Sequence, residues 1–553
     1  MLPEMPAGSQ LMNGRRLWRA AAAAPDLWVV AGLGALVVAI GFLRKDFCGD
    51  GVRHLPAVLR SAHPELGEPR WLFFPALVFA LLRPVVALGL VDDVEGLTRV
   101  MMAATVIAAG LYLLAVRACL VALGIAPARR AAALAVAGGS ASFLLAATDL
   151  MEPIFGATLF AVGLAFAARH AAAPGATEGD RRRALLAAVA ATAAAALLYQ
   201  GLILGLGLIP LVIPASTLWE RRALAQSALI LAAVPLAMLG ALAASGNSLG
   251  RAWSRTVLAE ENPLYRSYLE KPGLTPYMVA LVAGPPNGVV TLGDYHGFRR
   301  VLANLRQPGE RWPALAVLLR LGLGIAVLAA GAIAAWHRRD WALLAACATL
   351  AVLPLVRTQQ YGYVKFYVLL PIVLASGAAR APAAAASAVA ALLLALNGGA
   401  LLAALPAQRQ LYADRVDVYG RAGADACWLT IAWEPPFSFL WRGSVCPIFG
   451  LLARGTGEDV AQASAAGQAM LTGCLETCFC RSSGVFTDDM TEAAGPLVAD
   501  SARHFAYAGP NLETLLLPVA QAELASRPGS TPPVYRYPPA EQRRRCDLVA
   551  HHR

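Results

Sequence analysis

The sequence carries little charge for its length. Only 15% of its 553 residues are Asp, Glu, Lys or Arg, whereas soluble globular proteins contain about 25%. Hydrophobic residues make up 58%, and the mean hydropathy is +0.57. This composition excludes an ordinary soluble enzyme, a fibrous protein and an intrinsically disordered chain. The remaining class is a protein that crosses a membrane several times.

Cysteine and lysine are scarce as well. Nine cysteines in 553 residues exclude a small scaffold held by disulfides. Only three lysines stand beside 43 arginines, a bias that indicates a GC-rich genome rather than a function. The net charge of +11 is no evidence for nucleic-acid binding, because Lys and Arg of membrane proteins collect in cytoplasmic loops.

Long apolar stretches set the number of predicted spans. A helix needs about 20 predominantly apolar residues to cross the hydrocarbon core of a bilayer. The stretch 72–90 is ambiguous, because Pro75, Arg83 and Pro84 weaken a spanning helix, and the positions of the basic clusters exclude it from the count. We therefore predict an all-α polytopic protein with eleven spans, at 27–43, 99–124, 131–148, 153–170, 184–199, 201–218, 223–245, 314–335, 341–356, 364–379 and 383–405.

Six basic clusters predict the orientation. If 72–90 does not cross the membrane, all six fall on the same side as the N-terminus. The positive-inside rule favours this case, so residues 1–26 are predicted to be cytoplasmic and 72–90 to lie at the outer surface or to enter partway. The clusters are Arg15/Arg16/Arg19, Arg129/Arg130, Arg181/Arg182/Arg183, Arg221/Arg222, His337/Arg338/Arg339 and Arg380.

An odd number of spans places the C-terminal region outside. We predict a transmembrane domain at 27–405 with outer loops 44–98 and 246–312, followed by an extracytoplasmic domain at 406–553. ACWLTIAW and SSGVFTDDMTEAA are typical of strands followed by turns, and GEDVAQASAAGQAMLTGCLE of a helix, which predicts a small α/β domain. The basic tail AEQRRRCDLVAHHR is predicted to be mobile.

Six of the nine cysteines lie in this last domain, and Cys48 is also predicted to be outside. This distribution favours disulfides in an oxidising compartment, although the sequence does not specify the pairing. Free thiols are one alternative. A zinc site formed by Cys474, Cys478 and Cys480 is the other.

The first outer loop carries candidate acids close to the membrane. Asp46 and Asp50 follow the first span directly, and His54 and His63 come next. Partial burial raises the pKa of a carboxylate, which suits it to act as a general base. The alternative is a solvated loop in which the acids pair with neighbouring basic residues.

Two further groups lie on the predicted outer side. Asp149 and Glu152, between the third and fourth spans, are expected to share one face at the start of the next helix; capping of that helix is the alternative role. Arg357 and Lys365 stand beside Tyr361, and cations at this depth suit a lipid phosphate, with snorkelling as the alternative.

A pattern combines these features. A first span is followed by an acid in GDG, then by AHP and an apolar stretch with proline. A helix beginning with Arg, a basic inner turn (APARRAAALAVA) and a second outer acid (ATDLMEP) follow. This order resembles the GT-C superfamily of polytopic glycosyltransferases, which includes protein O-mannosyltransferases and aminoarabinose transferases, and most of all a bacterial branch. The resemblance covers about residues 27–200, is weaker at YVKFYVLLP, and does not extend to 406–553.

The resemblance implies an inverting transfer of a sugar from a polyprenyl-phosphate donor to a protein, lipid or glycan acceptor at the outer face of a bacterial cytoplasmic membrane. Asp50 matches the general base of the family, with Asp46 as the alternative. Asp149 matches an acid that positions acceptor or donor, a role also assigned to Glu152, His54 and His63. Lys365 stands where the family has a phosphate-binding Arg, with Arg357 and Tyr361 beside it.

Some relatives use a divalent metal and others do not. Asp50, His54 and His63 could hold such a metal, but they have no fixed ligand spacing, so the site stays an alternative and no metal is assigned. Alternative functions are a polymerase or ligase of surface polysaccharide, which would depend on 246–312, a receptor or assembly protein, and a transporter or flippase of lipid-linked sugars. A transporter predicts inverted repeats and helices that are interrupted near the centre of the bilayer.

Overall fold

The computed structural model describes residues 24–43, 55–60, 63, 72–150, 153–244, 305–306, 308–309, 311–356, 368–406, 409–410, 413, 426–430, 444–447, 469, 471–487, 523–524 and 534–551. The chain divides into two compact units. The first comprises Met1–Gly41, Ala103–Val234 and Pro272–Ala403, and the second comprises Phe42–Met102, Pro235–Lys271 and Ala404–Arg553.

The first two thirds of the chain are helical wherever the structure describes them. The helices are α1 (Pro25–Leu43), α2 (Leu55–Arg60), α3 (Phe74–Ala87), α4 (Val94–Ala122), α5 (Pro127–Gly139), α6 (Ala141–Thr148), α7 (Pro153–Ala171), α8 (Glu178–Leu198), α9 (Ala215–Leu218), α10 (Arg221–Ala244), α11 (Arg311–His337), α12 (Trp341–Val356), α13 (Leu370–Arg380) and α14 (Ala383–Leu393). A 3-10 helix occupies Gln200–Leu211, and a π-helical turn, Leu394–Gly398, follows α14.

Five helices among the described residues are long and apolar enough to cross a membrane. They are α1, α4, α7, α10 and Ala383–Pro406, and the bent pair of α5 and α6 makes a sixth. Each coincides with a predicted span. The predicted total of eleven stays a prediction, because other apolar helices, such as α12 and α13, are shorter.

Helix α3 occupies the stretch that the sequence left ambiguous. Its 14 residues contain Pro84. At about 1.5 Å per residue the helix measures about 21 Å, less than the hydrocarbon core of about 30 Å. This length favours the prediction that 72–90 does not cross.

The span predicted at 131–148 is broken by a bend, which was not predicted from the sequence. Helices α5 and α6 meet at 64°. Ser140 is extended (φ −68°, ψ 145°), and its hydroxyl accepts a hydrogen bond from the Phe143 amide, so it begins a new helix. The Asn397 side chain donates to the Gly139 carbonyl at 2.8 Å, which satisfies a backbone acceptor at the break.

The predicted helix at 201–218 also differs. The chain forms the 3-10 helix, turns, and then forms only the four-residue helix α9. Pro210 lies inside the 3-10 helix and Pro214 precedes α9. Proline cannot donate the amide hydrogen bond that a continuous α-helix requires, so the α-helix does not extend across this segment.

Small residues let the helices of the first unit pack closely. A β-carbon on Gly163 of α7 would lie 2.2 Å from that of Ala191 of α8. The glycine therefore permits the close approach of these two helices. Large apolar side chains on other faces are exposed, among them Ile107 (62%) and Leu229 (75%). Such faces suit contact with lipid.

In the second unit an arginine joins two helices. The Arg83 guanidinium of α3 donates to the Val58 carbonyl of α2 at 3.1 Å. The charge in this apolar helix thus has a local structural role.

The C-terminal part of the second unit contains a mixed sheet. Its strands are β1 (Ala426–Thr430), β2 (Ser444–Pro447), β3 (Ser483–Thr487), β4 (Glu523–Leu524) and β5 (Val534–Arg536), in the order β2-β1-β3-β5-β4. Strand β1 pairs in parallel with β2 and β3, and β5 pairs antiparallel with β3 and β4. Strands β1 and β3 lie within the segments predicted as strands. The position of this domain outside the membrane stays a prediction.

One disulfide joins strand β1 to a π-helical turn at Thr477–Arg481, and a second joins that turn to the helix at Pro539–Ala550. Cys427 is bonded to Cys478, and Cys480 to Cys546. The alternative zinc site is therefore wrong, because two of its three sulfur atoms form covalent bonds.

The prediction of a mobile tail is also wrong. Residues Pro539–Ala550 form a helix, α15. The Gln542 side-chain amide donates to the Cys478 and Ser482 carbonyls at 2.7 and 2.6 Å. Arg545 is fully buried, with its guanidinium 4.5 Å from the centre of the Tyr537 ring. These contacts and the disulfide at Cys546 order the segment.

Candidate functional site

Two of the predicted site residues fall within the described part of the chain. They are His63, in the second unit, and Asp149, in the first. The others lie outside the described residues: Asp46, Asp50, His54, Glu152, Arg357, Tyr361 and Lys365.

His63 lies at a bend between α2 and α3 and is exposed. Its position leaves the imidazole accessible from solution, as contact with a polar substrate requires.

Asp149 is buried, with 1% of its surface exposed. The expectation that it lies in the first turn of the next helix is wrong, because α7 begins only at Pro153 and Asp149 is the C-terminal cap residue of α6. Its carboxylate accepts a hydrogen bond from the Leu150 amide at 2.8 Å. The C-terminal end of a helix carries partial negative charge, so a carboxylate there is not stabilised by the helix dipole.

Tyr112 connects α6 with the segment that follows Lys365. Its hydroxyl donates to the Val368 carbonyl at 2.8 Å, and its ring stacks on Phe143 at 5.8 Å between centroids. Phe143 lies in the first turn of α6, and Val368 directly precedes α13. The starts of α6 and α13 are thus held beside one tyrosine.

This arrangement fixes the directions of the neighbouring helices. Helices α5 and α13 contact each other, and the start of α13 lies beside the start of α6, where α5 has just ended. Helices α5 and α13 therefore run antiparallel, with Arg130 and Arg380 at their common basic end. Val368 and Phe143 lie at the opposite end, toward which α6 continues to Asp149.

At the basic end, a buried acid joins three helices. Asp26, in the first turn of α1, is fully buried and accepts from Arg117 of α4 at 2.9 Å and Arg130 of α5 at 2.8 Å. The N-terminus of α1 therefore lies beside the C-terminus of α4. If both helices cross, the chain between them leaves and returns on one side of the membrane, which favours the prediction that 72–90 does not cross.

Other basic clusters also meet in pairs. Arg182 lies 3.2 Å from Glu220, the residue before Arg221. Arg380 forms an ion pair with Asp340, and Arg338 donates to the Arg380 carbonyl. Each pair of clusters encloses two predicted spans, so these contacts agree with clusters on a common side. Which side is cytoplasmic stays a prediction.

The contacts of three residues of this unit, Asp26, Arg117 and Tyr112, were not predicted from the sequence. Asp26 and Arg117 are charges within apolar helices, and such charges usually have a partner. That signal could have identified them as a structural pair. Tyr112 gives no comparable signal, because its role depends on Val368, which is 256 positions away.

Comparison with known proteins finds a distant structural similarity. No family model and no curated protein sequence matches the chain. The crystal structure of ArnT from Cupriavidus metallidurans bound to undecaprenyl phosphate is 14% identical, with a TM-score of 0.45 over 92% of this chain and 97% of that chain. The apo structure of the same protein is 14% identical, with a TM-score of 0.46 over 94% and 99%. Similarity at this level assigns no activity to the chain.

Proposed function

We propose that this protein is an inverting membrane glycosyltransferase that moves a sugar from a polyprenyl-phosphate donor to an acceptor at the outer face of the cytoplasmic membrane. The observation that carries the proposal is the attachment of Tyr112 to both Phe143 and Val368. Through it, the starts of α6 and α13 meet at the end that carries Asp149, and Lys365 stands three positions before Val368 in the sequence. An acid and a cation at one membrane surface are the groups that this transfer needs.

The proposed chemistry uses a base and a phosphate-binding group. Asp50, or Asp46 in its place, accepts the proton of the acceptor as its nucleophilic atom attacks the anomeric carbon. The bond between that carbon and the phosphate oxygen breaks, and the electron pair leaves with the carrier phosphate. Lys365 and Arg357 offset the negative charge that develops there. Attack from the face opposite the phosphate inverts the configuration.

The remaining residues position the substrates. Burial of a carboxylate costs free energy, and the helix dipole at Asp149 does not reduce that cost. Ionisable groups that carry such a cost are typical of functional sites at a membrane boundary. We assign Asp149, with Glu152, to orienting acceptor or donor. His54 and the exposed His63 contact the polar acceptor, and Tyr361 lies at headgroup depth beside the phosphate site.

The proposed mechanism includes no metal. Within the part of the chain that the structure describes, no three His, Cys, Asp or Glu side chains are grouped so that they could hold a metal ion. Asp50 and His54 lie outside that part. The proposed steps use side chains alone, and a divalent metal held by Asp50, His54 and His63 stays the alternative.

One observation favours a second candidate, a flippase of lipid-linked sugars. The break at Ser140 interrupts a helix within the apolar region, as transporters of this kind require. A flippase would move the labelled lipid across the bilayer without breaking its sugar–phosphate bond. A polymerase or ligase would depend on 246–312, of which only residues 305–306, 308–309 and 311–312 are described.

The test is sugar transfer in proteoliposomes supplied with radiolabelled polyprenyl-phosphate sugars. We expect transfer by wild-type protein and a loss of about 100-fold or more in Asp50→Asn, the range found when a general base is removed. Asp92→Asn, which changes an exposed acid of the same predicted loop, is the matched control and should retain activity. Unchanged transfer in Asp50→Asn would remove that residue as the base. Movement of intact labelled lipid without cleavage would favour the flippase.

A further inference from the structure

Four cysteines lie where one helix packs against two strands of the C-terminal sheet. In the parallel pairing of β1 with β2, Cys427 is opposite Ser444 and Leu429 is opposite Cys446. Opposite residues, and residues two apart on one strand, point to the same face of a sheet. Cys427 and Cys446 therefore share a face, and both side chains are fully buried.

A helix covers this face. Helical residues 471–476 continue into the π-helical turn Thr477–Arg481, which contacts β1, β2 and β3. Cys478 in this turn is bonded to Cys427 on β1, with 4.9 Å between the Cα atoms. Cys474 lies one turn earlier on the same side of the helix. It therefore points toward the sheet, and its partner there is Cys446 on β2, next to β1.

The distance between the two cysteines on the helix is similar to the distance between the two cysteines on the sheet. Along the helix, Cys474 and Cys478 are about 6 Å apart at 1.5 Å per residue. Across the sheet, Cys427 and Cys446 are separated by one strand and two residues, which is about 8 Å. A second cross-link can therefore form beside the first. The two side chains already meet, because the Cys446 and Cys474 sulfur atoms are hydrogen-bonded to each other.

We propose that Cys446 and Cys474 form a third disulfide of this domain, and that Cys474 is the sulfur that reacts first. The cross-link fixes the helix to β2 just as Cys427–Cys478 fixes it to β1. This modification is independent of the glycosyl transfer proposed above.

The order of reaction follows from the surroundings of the two thiols. The hydrogen bond from Cys446 lowers the pKa of Cys474, whereas burial raises the pKa of Cys446 well above its usual value. Cys474 is also partly accessible, whereas Cys446 is fully buried. A thiolate, not a thiol, attacks a disulfide, so the accessible sulfur with the lower pKa attacks first.

The oxidant is a thiol–disulfide oxidoreductase in its disulfide form. The Cys474 thiolate attacks one sulfur of that disulfide, and the other sulfur of the oxidant leaves as a thiolate. Cys446 then loses its proton and attacks the Cys474 sulfur, which releases the second thiolate of the oxidant. Two thiols of this chain are oxidised, two electrons pass to the oxidant, and the oxidant becomes a dithiol.

Peptide mapping of the full-length protein tests the cross-link without any substitution. Protein from membranes is alkylated in denaturant without reductant, then digested and analysed by mass spectrometry. Trypsin leaves Cys474, Cys478 and Cys480 in one peptide that ends at Arg481, so a protease that cleaves after Glu476 is added to separate the first from the others. We expect a linked pair of peptides with Cys446 and Cys474. Alkylation of both residues, or a metal ion that protects both from alkylation, would overturn the proposal.

Two single substitutions test the order of reaction. Cys446→Ala should accumulate a mixed disulfide between Cys474 and the oxidoreductase, because no second thiol resolves it. Cys474→Ala should accumulate none. Cys119→Ala changes a buried cysteine of helix α4 and should leave the linked peptides unchanged. Trapping through Cys446 in Cys474→Ala would contradict the proposed order.

Discussion

Asp26 and Asp149 are both buried acids of the first unit, but they lie in different surroundings. Asp26 is in the first turn of α1 and is held by the guanidinium groups of Arg117 and Arg130. Asp149 follows the last turn of α6 and is held in part by a backbone amide. The helix dipole and two cations stabilise the first carboxylate, whereas the dipole opposes the second.

The surroundings of these two acids indicate different roles for the two ends of this unit. At the basic end, acids and arginines of successive helices satisfy one another, which is expected of a structural network. At the other end, the buried acid Asp149 follows the last turn of α6, and the start of α6 is joined through Tyr112 to Val368, three residues after Lys365 in the sequence. We infer that the basic end maintains the fold and that the opposite end carries the chemistry.

The largest effect is expected on stability, in Asp26→Asn. The change leaves Arg117 and Arg130 near each other without their common counter-charge. Breaking a buried ion pair in this way typically costs about 3–5 kcal/mol. The unfolding midpoint in detergent should fall, while the protein that remains folded keeps its transfer rate. An unchanged midpoint would contradict the structural role.

Asp149→Asn should reduce the rate of sugar transfer and leave stability nearly unchanged, the reverse of Asp26→Asn. The substitution keeps the size of the side chain and removes its charge, so we expect a small change in the unfolding midpoint. Transfer should fall by about 100-fold, as is found when a substrate is misplaced by about 1 Å. Both quantities are measured on the same preparation as Asp26→Asn. A large loss of stability with a normal rate in the folded fraction would assign Asp149 to the fold instead.

Tyr112→Phe tests the contact that joins the starts of α6 and α13 at the end that carries Asp149. It removes the hydrogen bond to Val368 and retains the ring that stacks on Phe143. We expect a loss of stability of about 1 kcal/mol. Because Val368 lies three residues after Lys365, the KM for the donor should rise severalfold with a smaller change in kcat. Tyr199→Phe, at another buried tyrosine of the unit, is the control and should leave KM unchanged.

The smallest effect is expected in Arg182→Gln. Arg182 and Glu220 form an ion pair at 3.2 Å, and their side chains are 32% and 20% exposed. Pairs that are open to solvent contribute about 0–1 kcal/mol. The unfolding midpoint should therefore change much less than in Asp26→Asn. An equal decrease in the midpoint would show that the ion pairs at the basic end contribute equally to stability, whether they are buried or exposed.

The sequence predicted features that depend on local composition. Long apolar runs predicted the positions of α1, α4, α7 and α10. The contacts between basic clusters agree with the prediction that these clusters lie on one side of the membrane. Features that depend on distant contacts were not predicted. The break at Ser140 uses Asn397, and the order of the last helix depends on Gln542 contacting residues about sixty positions away.

The candidate site was predicted only in part. The functional role of Asp149 stays a prediction. Its place as the C-terminal cap of α6 was not predicted, because the next helix begins only at Pro153. Tyr112 was missed, since a single tyrosine in an apolar helix gives no indication that its hydroxyl binds the backbone of a distant segment.

Release of free polyprenyl phosphate from radiolabelled polyprenyl-phosphate sugars most directly tests the division between the two ends. Purified wild-type protein, Asp26→Asn and Asp149→Asn are compared in proteoliposomes, with rates expressed per folded molecule. We predict equal release by wild type and Asp26→Asn, and release about 100-fold slower by Asp149→Asn. Release at the wild-type rate by Asp149→Asn, or no release from any donor by folded wild-type protein, would contradict the account.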